Sequence, residues 1–164
     1  LEQMGYQAES ATWRNAFLYG AMELRHGVFK VPARGLMSAD VLAGLSTDLL
    51  FDALAIRLDP AKVGSRSFTL NWHFTDRRER LAMTLKNSTM THRMGETAEG
   101  AAATVTMARA TLDAIMLRTL EVPAALASGA LKIEGDPSAL ALLFGALEPP
   151  GGLMFEILTP GEGR

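Results

Sequence analysis

The chain has no cysteine among its 164 residues. A disulfide framework and any thiolate metal site are excluded at once. The compartment stays open, because a cytoplasmic protein and a bacterial secreted one are both compatible with a cysteine-free chain. A surplus of positive charge is missing as well: 16 Lys and Arg stand against 18 Asp and Glu, for a net charge of −2. Nothing there would neutralise a phosphate backbone, which argues against a nucleic-acid partner. The apolar runs fall far short of the ~20 residues that a bilayer-spanning helix needs. Histidine is limited to His26, His73 and His92. A zinc site asks for several converging ligands, commonly His pairs at short spacing, and these three are scattered, so no metal or other cofactor is expected in this chain. Gly95, Gly100, Gly151 and Gly152 are not set between a strand and a helix as a phosphate-cradling loop requires. Ser65, Ser67 and Ser88 lie in turn-like sequence without a nucleophile elbow.

What is abundant is apolar material. Hydrophobic residues make up 48% of the chain and include nine methionines. A chain of this length can bury a core without covalent staples. Methionine suits an ordinary core, and it also suits a surface that adapts to variable apolar shapes.

Periodicity sets the order of elements. Residues 1–27 read as helix, with a turn near Ser10, which can cap the second segment. Trp13, Phe17, Leu18, Ala21 and Leu24 keep helical spacing, His26 suits a helix C-terminus, and Gly27 is a stop. The aromatic residues of this segment need a partner surface. Pro32 and Gly35 mark a linker. Ser38 caps a helix with Asp40 in its first turn, and Ser46 or Thr47 caps another, Leu49 to Leu58, apolar on much of its circumference and so expected to be buried on more than one side. Phe68, Leu70, Trp72 and Phe74 then alternate with polar residues, the clearest strand in the chain. Asp76 to Arg80 is a charged turn, and Arg77, Arg78 and Arg80 read there as solvated rather than as an anion site. Strands follow at Leu81–Leu85, Thr89–Arg93 and Ala103–Met107, the first three joined by short turns as an antiparallel meander. Thr111 caps a short helix through Leu117, and Pro123 to Gly129 bounds another. Leu131 and Ile133 give a fifth strand. Asp136-Pro137 starts a last helix carrying Leu140, Leu143, Phe144 and Leu147. Met154 to Thr159 is a final strand or tail. The sum is an α+β layer arrangement, a largely antiparallel sheet of about five strands with helices on one face. Within the apolar helix, Asp52 is expected to form a structural ion pair with Arg57 or an arginine of the charged turn.

Two sets of residues carry a family resemblance. The opening Leu1-Glu-Gln-Met-Gly-Tyr-Gln-Ala-Glu-Ser, with Trp13-Arg14-Asn15 and Gly20-Ala-Met-Glu-Leu-Arg25, resembles the end of the dimerisation region of alkylsulfatases. Leu49-Leu-Phe-Asp-Ala-Leu-Ala-Ile-Arg57-Leu-Asp59 and Leu131-Lys-Ile-Glu-Gly-Asp-Pro137 are similar to the sterol-carrier-like domain that closes the same enzymes. The resemblance implies a boundary at residue 37, with a helical segment and linker over 1–37 and a sterol-carrier-like domain over 38–164. It implies a zinc-dependent catalytic domain of the metallo-β-lactamase type elsewhere, because its His-x-His-x-Asp-His motif has no match here. The start at Leu1, directly in helix-like sequence, fits a piece of a longer protein. For this piece the resemblance implies an apolar tunnel for long-chain ligands such as alkyl sulfates or fatty chains. Phe51, Leu54, Phe74, Met83, Met107, Leu143 and Phe144 are named as its lining on apolar position alone. It further implies association with a second copy, or with the catalytic domain, through residues 1–27. The alternative reading is a structural and dimerisation scaffold whose core is filled and takes no ligand.

Overall fold

A computed structural model describes residues 1–27 and 38–148. The expected linker at Pro32 and Gly35, the helix stop at Pro149 to Gly152 and the tail at Met154 to Thr159 lie outside the described residues. The described residues fall into two compact units, 1–27 and 38–148.

The first unit is a helix pair, α1 (Glu2–Gln7) and α2 (Ala11–His26). Ser10 occupies the position before α2 but makes no side-chain cap bond. Gly27 closes α2 with φ 76, a left-handed value that glycine adopts freely. The two helices meet at Gly5, where a Cβ would lie 2.8 Å from the Leu18 side chain. Arg25 ties the pair by an ion pair to Glu2. Trp13 is 69% exposed and Leu24 68%, with Met4 and Tyr6 also outside.

The second unit runs α3 (Ala39–Gly44), α4 (Thr47–Ile56), α5 (Pro60–Val63), β1 (Phe68–Phe74), β2 (Glu79–Lys86), β3 (Thr89–Met94), β4 (Ala103–Met107), α6 (Arg109–Met116), α7 (Val122–Ala127), β5 (Leu131–Gly135) and α8 (Pro137–Ala146). Several starts are as the sequence predicts. Ser38 accepts from Val41 N, Ser46 from Leu49 N, and Asp136 from Ser138 N ahead of a proline. Asp59 caps the short α5 by accepting from Ala61 N, ahead of Pro60. Among the described residues no helix is long and apolar enough to cross a membrane.

The five strands form one sheet in the order β3-β2-β1-β4-β5. The meander holds for β1, β2 and β3, and β5 is antiparallel to β4, but β4 lies parallel to β1. The chain leaves β3 at one edge and must cross three strand spacings, about 14 Å, before it re-enters beside β1. Asn71 pins that crossing: its Nδ2 donates to Ala98 O at 3.0 Å and its Oδ1 accepts from Ala98 N at 2.8 Å. The crossing ends where Ala102 N donates to Thr69 O at 2.8 Å. Asn71 points away from the helices, so this connection covers the polar side of the sheet.

Alternation assigns the other face to the core. Leu70, Trp72, Phe74, Leu81, Met83, Leu85, Val105, Met107 and Leu131 are buried against Leu50, Phe51 and Leu54 of α4, Leu112 of α6, and Leu140 and Leu143 of α8. Phe51 meets Trp72 and Phe74 edge-on, with ring centroids 5.2 and 6.2 Å apart. The expectation that the apolar α4 is buried on several sides is corrected here. One stripe faces the sheet, while Leu49 is 54% and Ile56 86% exposed. The α4 helix lies in the outer layer of its unit.

The second correction concerns α6. It begins at Arg109, ahead of Thr111, and its cap is not local. Asp76, from the turn after β1, accepts from Arg109 N at 2.7 Å and from Ala110 N at 3.3 Å. Partial burial pushes the Asp76 carboxyl up, but the backbone N–H groups of Arg109, Ala110, Asp76 itself and Arg77 together hold it below its ordinary value. Arg109 is fully buried. Its Nε donates to Asp113 at 2.9 Å, its Nη2 to Leu42 O at 3.0 Å, and its Nη1 to Leu45 O and to Thr47 Oγ1, each at 3.3 Å. Thr47 donates its own hydroxyl proton to Glu79 of β2.

Two outcomes follow for folding. Arg109→Ala should lower stability by about 3 kcal/mol in chemical denaturation, because it strands buried acceptors on three elements. Arg109→Lys should recover little, since a point ammonium cannot reach the same fork of acceptors. Asp76→Asn should cost about 1 kcal/mol near neutral pH. A carboxyl lowered on folding stabilises above its unfolded value of 3.8 and loses that contribution as pH falls through the folded value. The acid limb of the stability profile below about pH 4 should therefore be shallower in Asp76→Asn.

Candidate functional site

The ends of α4, α6 and α8 meet at one place, and the meeting is enforced by backbone. Leu58 bridges Leu147 in antiparallel fashion, Asp59 N donates to Ala146 O at 2.8 Å, and Glu148 N donates to Arg57 O at 2.8 Å. This short clip holds Arg57 at the end of α4 beside Phe144 and Leu147 of α8. The turn after α6 closes the third side. There the N–H of Arg118 donates to Ile115 O at 3.0 Å and that of Thr119 to Ala114 O at 3.0 Å. This is the paired bonding of a Schellman stop, in which glycine is the usual left-handed residue. Arg118 holds that position with φ 56, which costs an L residue about 1 kcal/mol relative to glycine.

Between these elements lies an open cleft of about 360 Å³, inside the range of small-molecule sites. Ile115, Met116, Leu120, Val122, Phe144 and Leu147 make its apolar wall, while Arg57, Arg118 and Glu121 are its charged groups. The Arg57 Nε and Nη2 both donate to Glu148 O, at 2.9 and 2.6 Å. Burial holds the Arg57 guanidinium below its ordinary value, and the charge of Arg118 adds to the effect.

Of the seven residues named from sequence, Phe144 lines this cleft. Phe51, Leu54, Phe74, Met83, Met107 and Leu143 are each 2% exposed or less, within the core between sheet and helices. The neighbouring Trp72 Nε1 is buried there without a partner among the described residues. Arg57 and Arg118, the two cations of the cleft, gave no signal as a pair in the sequence, because β1 to β4 and α6 lie between them in the chain. The Ile-Arg-Leu-Asp-Pro run, with an arginine at the end of an apolar helix, was the one local cue.

The scattered histidines do not form a zinc site. His73 and His92 lie on opposite faces of the sheet, because Trp72 and Met83, the partner of His92, face the helices while His73 faces away. His92 Nε2 is 2.7 Å from Asp48 and its Nδ1 is 3.9 Å from Asp52. Asp52 thus faces His92 on β3 and not Arg57, contrary to the ion pair expected for it, because α4 runs over β3 and turns its outer edge toward that strand. Among the described residues no three His, Asp or Glu side chains converge as metal ligands.

Comparison with known proteins gives a consistent result. Residues 35–160 match the family described as alkyl sulfatase C-terminal, and residues 1–27 the one described as alkyl sulfatase dimerisation. An (R)-specific secondary-alkylsulfatase from Pseudomonas sp. is 43% identical over 148 residues, covering 90% of this chain and 22% of that protein. A linear primary-alkylsulfatase from Pseudomonas sp. is 41% identical over 160 residues, 98% of this chain and 24% of that one. The solved stereoselective inverting sec-alkylsulfatase Pisa1 from Pseudomonas sp. superposes with a TM-score of 0.75 at 43% identity, over 89% of this chain and 23% of its own. The chain thus spans under a quarter of the length of these relatives. By both family matches and both curated relatives, it belongs to the alkylsulfatase family, in its C-terminal region.

Proposed function

We propose that this chain is the non-catalytic C-terminal region of an alkylsulfatase-like hydrolase, and that it binds or recruits the apolar chain of a long-chain ligand. The observation that carries the reading is the open cleft, whose wall is six apolar side chains at the meeting of three helix ends. A surfactant-like or fatty chain laid along Ile115, Met116 and Phe144 would leave water without having to displace a core residue. Extension of the ligand past Phe144 toward Leu143 and Leu54 would require those side chains to move.

Ester cleavage, and the zinc it uses, is assigned to sequence outside this chain. The described residues bring no three His, Asp or Glu side chains together as a zinc site requires. Residues 1–27, with Trp13 and Leu24 exposed, are assigned to association with a second copy or with the catalytic part of the protein.

Three measurements test the reading. A fluorescent fatty-acyl probe titrated into the purified chain should saturate, and alcohols of eight to fourteen carbons should displace it with affinity rising up to about fourfold per methylene. A flat response across that series would rule out an apolar cleft as the binding site. In the same titration Phe144→Ala should weaken displacement with little change in Tm, since that ring is only half-buried. The purified chain with added zinc should not turn over dodecyl sulfate; clear hydrolysis above buffer would refute the non-catalytic assignment. Finally, Trp13→Asp should shift sedimentation toward the monomer if residues 1–27 join two copies.

A further inference from the structure

The polar side of the cleft is built unlike a solvated rim. No ion pair among the described residues includes Arg57 or Arg118. Arg57 directs two of its N–H groups at a single carbonyl oxygen, Glu148 O, which fixes the guanidinium and leaves its other donors without a partner among the described residues. Arg118 stands in a left-handed position that glycine would fill without strain. The two cations lie close enough for the charge of Arg118 to disfavour that of Arg57. The repulsion between two arginines beside an apolar wall is what an anion with a hydrocarbon tail would relieve. Among the described residues that line the cleft, Glu121 is the one acid against two arginines, a surplus of one positive charge.

We infer that Arg57 and Arg118 together hold the anionic head of a single-tailed amphiphile, a sulfate ester or a carboxylate, whose chain lies on the apolar wall. The inference rests on the apolar-ligand reading and names the class of ligand that the same cleft prefers.

Calorimetric titration of the whole chain with dodecyl sulfate, dodecanoate and dodecanol, each below its aggregation limit, tests it. The wild-type protein should bind both anions more tightly than the alcohol, and raised salt should narrow the gap. Arg118→Gly is the deciding variant, because it removes the charge and also the backbone strain. It should weaken both anions about tenfold, leave dodecanol unchanged and raise Tm. Arg57→Gln should weaken the anions in the same direction. The ratio of dodecyl sulfate to dodecanoate affinity tells which head the pair fits better, and a preference for either supports the assignment. Unchanged anion affinity in Arg118→Gly, or an equal loss for anions and alcohol, would overturn the head-group site while leaving the apolar reading intact. No binding of any of the three by folded protein would remove both.

Discussion

The buried guanidinium of Arg109 is the interaction on which the helical layer of the second unit depends. One side chain gathers two carbonyls at the end of α3, the hydroxyl that opens α4 and a carboxylate one turn along α6. A guanidinium taken out of water is tolerable only when its donors are met, and here the acceptors come from elements far apart in sequence. Satisfying Arg109 therefore locks three helices against each other, and through Thr47 and Glu79 it ties them to β2. The capping of α6 by Asp76 works at the same junction, so the turn after β1 and the start of α6 cannot separate without breaking those two bonds and disturbing the seat of the buried guanidinium.

The cleft is a consequence of that layer at its opposite end. With the start of α6 fixed, its C-terminal stop brings Ile115, Met116 and Arg118 to face the ends of α4 and α8. The backbone clip between Leu58 and Leu147 keeps those two ends in register. Three helix ends do not pack as closely as helix sides, because their side chains splay outward. An open apolar cleft survives there while the sheet side of the core is filled.

Much of the architecture was legible in local pattern. The alternation from Phe68 to Phe74 marks a half-buried strand, and Asp136 with Pro137 marks a helix start, because both signals act within a few residues. The parallel placement of β4 was not legible. It depends on Asn71 meeting Ala98 across the open face, a contact between residues that turn chemistry does not link. The same holds for α6: Thr111 is a plausible local cap, but Asp76 arrives through tertiary folding and wins with two backbone bonds.

The sequence by itself determined the family of this chain, its α+β class, the strand alternation and the apolar character of α4 and α8. These rest on short-range periodicity and on residue order. Only the tertiary structure decided which apolar residues became core and which became the wall of a cleft. Leu143 and Phe144 make the contrast as adjacent residues of one helix, the first sealed in the core and the second lining an opening. Periodicity assigns a side chain to a helix face, but whether that face meets a sheet or the gap between helix ends is settled by elements that arrive from elsewhere in the chain.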